Sequence, residues 1–129
     1  QRAWAGTLLL ELQRYGCGAL QNMTAGSDAC RQAVVDAGAV AAVVAAMGSH
    51  DAGSQLQRNG CGALQNVARS SDACRQAVVD AGGVVAAMGG HAADLLLQRA
   101  GCGALRNMAL SSEACRQAVV DAGGAAAVV

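Results

Sequence analysis

CGALQN begins at Cys17 and again at Cys61, and its near copy CGALRN begins at Cys102. A longer stretch, DACRQAVVDAG, begins at Asp28 and Asp72, and EACRQAVVDAG begins at Glu113. Both stretches recur after 44 residues and then after 41. A fixed period of this length is typical of helical solenoids, in which each unit buries its apolar face on its neighbours. The sequence therefore predicts an all-α solenoid, which offers a long surface instead of a deep pocket.

Each unit is predicted to contain two short helices and one long helix. In the best-defined copy, Ser70-Ser71-Asp72 supplies an N-cap and an acidic first turn, and Gly82 ends that helix. A second helix is predicted over 84–88 and a third over 93–108. We divide the chain into a partial unit 1–26, units 27–69 and 70–110, and a partial unit 111–129. Trp4 to Leu12 fits the pattern less well and resembles the damaged end of a preceding unit.

An apolar stripe at helical spacing marks the third helix of every unit. Its copies are Leu12, Gly16, Ala19, Leu20 and Met23; Leu56, Gly60, Ala63, Leu64 and Val67; and Leu97, Gly101, Ala104, Leu105 and Met108. The change of period from 44 to 41 residues can be placed in the second helix, because AGAVAAVVAAMG in one unit corresponds to AGGVVAAMG, three residues shorter, in the next. Three residues are nearly one helical turn. The second helix of the latter unit is therefore predicted to be about one turn shorter.

Composition and charge exclude several classes of function. The formal net charge is zero and all nine basic residues are Arg without a basic block, so the footprint of a nucleic-acid-binding protein is missing. The longest apolar run, 39–47, is too short to cross a membrane. The C-terminal GGAAAVV is apolar, whereas an exposed solenoid end normally carries a polar cap. We therefore expect further repeats or a partner subunit to cover the ends.

The repeated blocks resemble the armadillo repeat. VVDAGAVAAVVAAMG is similar to the family's "VxxAGaxpaLvxLL" stretch, and LQRNGCGALQN is similar to its long third helix ending in "aLxNL". The resemblance covers residues 12–129 and implies a right-handed solenoid of three-helix repeats. It also implies a concave groove lined by the third helices, in which Asn22, Asn66 and Asn107 bind the backbone of an extended peptide.

The chain departs from the family pattern in two ways, and the first of them limits what the groove can bind. Importin-like members carry Trp four residues before the Asn, where this chain has Gly18, Gly62 and Gly103. The family's Pro at the start of the second helix is also absent. Without the Trp residues there are no side-chain pockets for basic import signals, so that cargo is not expected.

Arginine and asparagine recur together on the predicted third helices. Residues at i and i+8 share a helix face, which places Arg14, Arg58 and Arg99 in line with the three Asn. One interpretation is a groove that binds a peptide backbone and favours acidic side chains, because the Arg fork matches a carboxylate. The alternative is structural, with Asn bridging repeats and Arg paired with a nearby Asp. The residues alone leave both open.

The remaining reactive residues predict no catalysis, cofactor or metal site. The six Cys have no CxxC spacing and no His in register, so we expect reduced, mostly buried thiols and a reducing compartment. His50 and His91 lie one repeat apart in equivalent turns, too far apart to share a metal ion. The Gly pairs 82–83 and 123–124 follow helices and are explained by capping. No Ser/His/Asp or paired-carboxylate arrangement stands out.

The sequence thus predicts a non-enzymatic scaffold that holds a protein or extended peptide, with acidic segments favoured, on its concave face. The runner-up is a structural subunit packed permanently in a large assembly such as a ciliary axoneme. A thiol-based redox or metal protein is a third class, suggested only by the six Cys. Neither nucleic acid nor a membrane is an expected partner. The expected location is intracellular, in the cytoplasm or the cilium.

Overall fold

The computed structural model describes residues 2–48, 53–81, 83–91, 93–110, 112–121 and 123–128, and within residues 2–10, 79–81, 83 and 125 only the backbone. Every regular element in these ranges is an α-helix, and none is a strand. The helices are α1 (Arg2–Met23), α2 (Asp28–Asp36), α3 (Ala39–Met47), α4 (Ser54–Val67), α5 (Asp72–Ala81), α6 (Gly83–Gly90), α7 (Leu95–Ala109), α8 (Glu113–Asp121) and α9 (Gly124–Val128). The predicted all-α solenoid is confirmed.

Three kinds of helix alternate along the stack. First helices are α2, α5 and α8, second helices are α3, α6 and α9, and third helices are α1, α4 and α7. The third helices pack on one another in sequence, α1 on α4 and α4 on α7. The described chain thus starts with a third helix and finishes with a first and second helix. The residues Trp4 to Leu12 are not a separate piece, because one continuous helix α1 runs through them.

Local signals explain where the short helices begin and turn. The hydroxyls of Ser27, Ser71 and Ser112 each accept a hydrogen bond from the backbone N–H three residues later, which caps α2, α5 and α8. Gly38 joins α2 to α3 with φ of 78°, and Gly123 joins α8 to α9 with φ of 92°. Glycine adopts this left-handed conformation without a steric penalty. The predicted helix end at Gly82 lies outside the described residues.

In α2 and α5 an arginine ties the first helix to the end of the third helix before it. Arg31 Nε donates to the carbonyl oxygen of Thr24 at 2.8 Å, and Arg75 Nε donates to that of Ala68 at 3.0 Å. Each guanidinium also pairs with the Asp that opens its own helix. These bonds satisfy carbonyls at the end of a third helix that lack a partner within that helix, and they hold the start of the next unit against it.

The three-residue deletion lies in the second helix, but the predicted loss of about one turn is wrong. Helix α3 has nine residues and α6 has eight. The core part of α6 ends at Met88, and the helix then continues through Gly89 and Gly90. The two units are aligned again after the methionine. The same hydrogen bond occurs in both, from Gln57 Nε2 to Met47 O in one unit and from Gln98 Nε2 to Met88 O in the next.

The core runs between the third helices and the paired short helices. Its fully buried side chains include Leu64, Val67, Val78 and Leu97. Gly60 and Gly101 lie under the side chains of Met47 and Met88, so a methyl group at either glycine would overlap a buried thioether. Close approach of second and third helices therefore depends on these two glycines.

No single helix in the described ranges is long and apolar enough to cross a membrane. The pair α2 and α3, bent by 74°, would pass such a test on length and composition alone. Its valines at positions 34, 40 and 43 are buried in the core of the solenoid.

Candidate functional site

The third helices turn one polar face away from the short helices. On α4 this face carries Gln55, Arg58, Asn59, Gln65 and Asn66, whereas the opposite side of the helix is buried. A groove of about 370 Å³ crosses α1, α4 and α7 on this face. Its lining is Gln21, Gln55, Arg58, Asn59, Gln65, Leu96, Arg99 and Ala100. The surface is therefore amide-rich, with two guanidinium groups beside the apolar side chains of Leu96 and Ala100.

The predicted asparagine ladder is engaged between repeats. Asn66 Nδ2 donates to Gln21 O at 3.0 Å, and Asn107 Nδ2 donates to Gln65 O at 3.0 Å, the equivalent bond one repeat later. Asn107 is buried, Asn66 is half-buried and Asn22 is exposed. This is the bridging role that the sequence left open as the alternative. Peptide binding by the three Asn stays a prediction, and Asn107 has no open surface for it.

The three predicted arginines have three different environments. Arg14 donates to the Tyr15 hydroxyl at 3.1 Å and lies over that ring. Arg58 Nε lies 3.0 Å from Asp94 Oδ2 without an aligned hydrogen bond, so it is an ion pair of poor geometry. Arg99 is exposed in the groove and has no ion-pair or hydrogen-bond partner among the described residues.

Asp94 reduces the positive charge of the groove. It is the N-cap of α7, where its carboxylate accepts a hydrogen bond from Leu97 N at 3.1 Å, and it also faces Arg58. One carboxylate thereby stabilises a helix start and partly compensates the charge of one of the two groove cations. Arg99 remains the uncompensated cation in the described lining.

The glycines in place of the family Trp have a packing reason. A Cβ atom on Gly62 would overlap the side chain of Gln21, and one on Gly103 would overlap that of Gln65. Each glutamine lies across the bare backbone of the next third helix and covers the position where a side-chain pocket would form. Sequence reasoning missed Gln21 and Gln65 as groove residues, although the repeated Q of CGALQN was a visible signal.

Asn59 is a second residue that the sequence analysis missed. Its Nδ2 donates to Arg14 O at 3.2 Å, and its Oδ1 accepts from Gln55. The equivalent residue one repeat later is Ala100, which cannot make this bond. The groove is therefore more tightly bridged between α1 and α4 than between α4 and α7.

The cysteines are free thiols, and the expectation that all are mostly buried is wrong for two of them. Cys17, Cys61, Cys74 and Cys115 are buried, whereas Cys30 and Cys102 are exposed. Burial raises the pKa of the Cys17 thiol and raises that of Cys61 to about 12. Cys74 and Cys115 face Gln32 and Gln76 of the preceding first helix. Cys30, at the equivalent position of α2, has no such contact among the described residues.

Metal ligands do not converge in the described part of the chain, where no group of three His, Cys, Asp or Glu side chains comes together. His91 is half-buried and its carbonyl oxygen accepts from Gln98 Nε2 at 3.0 Å. His50, the equivalent residue, lies outside the described ranges.

Comparison with solved structures identifies the fold. An engineered protein of the Northeast Structural Genomics Consortium is 34% identical over 89% of this chain and 28% of its own, with a TM-score of 0.78. A second engineered protein from the same consortium is 32% identical, over 89% of this chain and 46% of its own length, with a TM-score of 0.76. A designed armadillo repeat protein in complex with the peptide (KR)4 is 21% identical, over 88% of this chain and 47% of its own length, with a TM-score of 0.74. This chain spans less than half the length of each. No family model and no curated protein matches the sequence.

Proposed function

From the armadillo-like repeat fold that this chain has, we propose that it is a protein-interaction scaffold. The groove across α1, α4 and α7 holds an extended segment of a partner protein. The observation that carries the proposal is the amide-rich lining that includes an unpaired arginine, Arg99. A designed armadillo protein of this fold is in complex with a peptide, which supports a peptide as the type of ligand.

Backbone recognition fits the chemistry of the lining. Amide side chains both donate and accept hydrogen bonds, so Gln21, Gln55 and Gln65 match the alternating N–H and C=O groups of an extended chain. Neighbouring third helices are about 8–10 Å apart and an extended peptide rises about 3.3 Å per residue. Each repeat would therefore meet two or three ligand residues, with little preference among their side chains.

Charge gives the groove its preference for acidic segments. Arg99 is free, Arg58 is only partly compensated by Asp94, and Arg106 lies exposed on α7 at the position equivalent to Gln21 and Gln65. Arginine forks bind carboxylates in two-point contacts. We expect weak affinity, because the lining has no buried aromatic anchor of the kind that dominates tight interfaces.

Fluorescence anisotropy with three labelled ten-residue peptides, one Glu-rich, one Lys-rich and one neutral, tests the proposal. The Glu-rich peptide should bind best, and the double variant Arg99→Ala, Arg106→Ala should weaken it about tenfold, the loss of about 1.4 kcal/mol. Arg69→Ala is the matched control, because Arg69 is exposed outside the groove. Equal weakening by the control variant, or equal binding of all three peptides, would contradict the proposal that the groove arginines select acidic peptides.

A structural subunit of a large assembly is the second candidate function. The hydrogen bonds of Asn66 and Asn107 favour this function, because each joins two neighbouring repeats instead of facing a ligand. The two candidates differ in a direct way: a structural subunit shows no binding to any of the three peptides, and its stability does not change when they are added.

A further inference from the structure

The lining of the groove changes in chemistry between α4 and α7. On α4, Gln55 and Asn59 lie four residues apart on one helix face, and Gln55 Nε2 donates a hydrogen bond to Asn59 Oδ1 at 2.8 Å. The equivalent pair one repeat later is Leu96 and Ala100, and it lines the same groove. The groove is therefore polar at this pair of positions on α4 and apolar on α7.

Leu96 does not belong to the core of the solenoid. Its neighbour Leu97 is 0% exposed in that core, whereas Leu96 is 60% exposed and lines the groove. Gln55, the equivalent residue on α4, is exposed although α1 and α7 both pack on α4. The position thus faces the groove even where third helices lie on both sides, so packing between repeats does not account for a leucine there.

An unpaired cation lies next to this apolar pair. Arg99 is at i+3 from Leu96 on α7, a spacing that puts two side chains about 5–6 Å apart at Cβ. It is exposed in the groove and has no ion-pair or hydrogen-bond partner among the described residues. The other arginine of the lining, Arg58, lies against Asp94, the N-cap of α7. A ligand carboxylate should therefore bind Arg99 in preference to Arg58, beside Leu96 and Ala100.

We propose that the groove selects acidic segments that carry a large aliphatic side chain, which packs on Leu96 and Ala100 while a nearby carboxylate binds Arg99. This inference rests on the proposed function and adds one side-chain preference to it. Charge complementarity accounts for the acidic part, since arginine forks bind carboxylates, and removal of two apolar surfaces from water accounts for the aliphatic part. Alternate residues of an extended chain lie on the same side, about 6.6 Å apart. This spacing is close to the separation expected for Leu96 and Arg99.

Fluorescence anisotropy with two Glu-rich ten-residue peptides, identical except for a single central Leu or Ser, tests the proposal. The Leu peptide should bind about fivefold more tightly than the Ser peptide, because part of its side chain leaves water. The double variant Leu96→Gln, Ala100→Asn gives α7 the pair that α4 already carries, and it should bind the two peptides equally. Leu95→Gln is the matched control and should keep the preference, because Leu95 is 80% exposed on the same helix but lies outside the groove lining.

Circular dichroism of every variant checks that it folds, and Leu96→Ala alone is a second variant that should lower the preference for the Leu peptide. Equal binding of the two peptides by the unchanged protein, or a preference that survives in the double variant, would overturn the inference. The proposed function would still hold in that case if the variant Arg99→Ala, Arg106→Ala weakens both peptides. Loss of the preference in Leu95→Gln would also overturn the inference, because it would assign the effect to general surface hydrophobicity. Failure of both peptides to bind would overturn the inference and the proposed function together.

Discussion

Helices α1 and α4 carry the same motif, CGALQN, yet they occupy different environments. In α4 the stripe from Leu56 to Val67 is buried and Asn66 bridges to the preceding helix. In α1 Leu12 and Met23 are exposed and Asn22 has no partner among the described residues. Burial in a solenoid is a property of the position in the stack, because each unit is covered only by its neighbours.

The largest expected difference between the two helices is at the stripe leucine. Leu56→Ala should lower the free energy of unfolding by about 2–5 kcal/mol, because it opens a cavity in a packed core. Leu12→Ala should change it by less than about 0.5 kcal/mol, as for other exposed positions. Urea titration of dilute protein measures both values. Similar losses at the two positions would mean that α1 is covered.

Glycine to alanine should have opposite signs in the two helices. Gly60→Ala places a methyl group against Met47, and repacking of that side chain should cost about 1–3 kcal/mol. Gly16→Ala has open space and should gain about 0.5–1 kcal/mol from helix propensity. Thermal unfolding of the pair gives the signs, and a stabilised Gly60→Ala would contradict the close approach of α3 and α4.

The buried thiol of α4 should make the protein less stable at alkaline pH. The pKa of Cys61 is about 12 in the folded chain and 9.0 when exposed, so the folded state retains a proton that the unfolded state loses between these values. The free energy of unfolding should therefore fall as pH rises above 9, by about 1.4 kcal/mol per unit. Cys61→Ala should reduce this slope, and the part that comes from Cys17, whose pKa is also raised by burial, should remain. Cys102→Ala, at the equivalent exposed position, should leave it in place.

The asparagine pair should show the smallest effect. Asn66→Ala loses a hydrogen bond to Gln21 O, which is worth about 1 kcal/mol. Asn22→Ala removes a side chain with no described partner and should be neutral for the dilute protein. Denaturant midpoints of the two variants separate them, and equal midpoints would argue against the bridging role of Asn66.

The fold was predictable because three copies of one pattern reinforce each other. Serine caps, helix periodicity and turn glycines are local signals, so the sequence located α5 and α7 to within a few residues. The length of α6 was not predictable from the deletion alone, because Gly89 and Gly90 continue the helix despite their low propensity. Nothing in the residue types marks that extension.

The candidate site was less predictable, since its chemistry depends on contacts between units. The sequence indicated the helix face that carries Arg58, Arg99 and Asn66. It could not show that Asp94 reaches Arg58, that Gln21 crosses Gly62, or that Asn107 is buried. These contacts join residues about one repeat apart, and their geometry follows from how closely neighbouring third helices stack.

Site-resolved thiol labelling tests most directly whether stacking position controls burial. Dilute native protein is exposed to a small alkylating reagent, and mass spectrometry follows each cysteine over time. Cys30 and Cys102 should react at once, whereas Cys17, Cys61, Cys74 and Cys115 should react on the order of 100-fold more slowly, because they require local opening. Denaturant should make all six equally fast. Equal rates for Cys61 and Cys102 in the folded protein would contradict the account, since the two occupy equivalent positions in successive repeats and differ in burial.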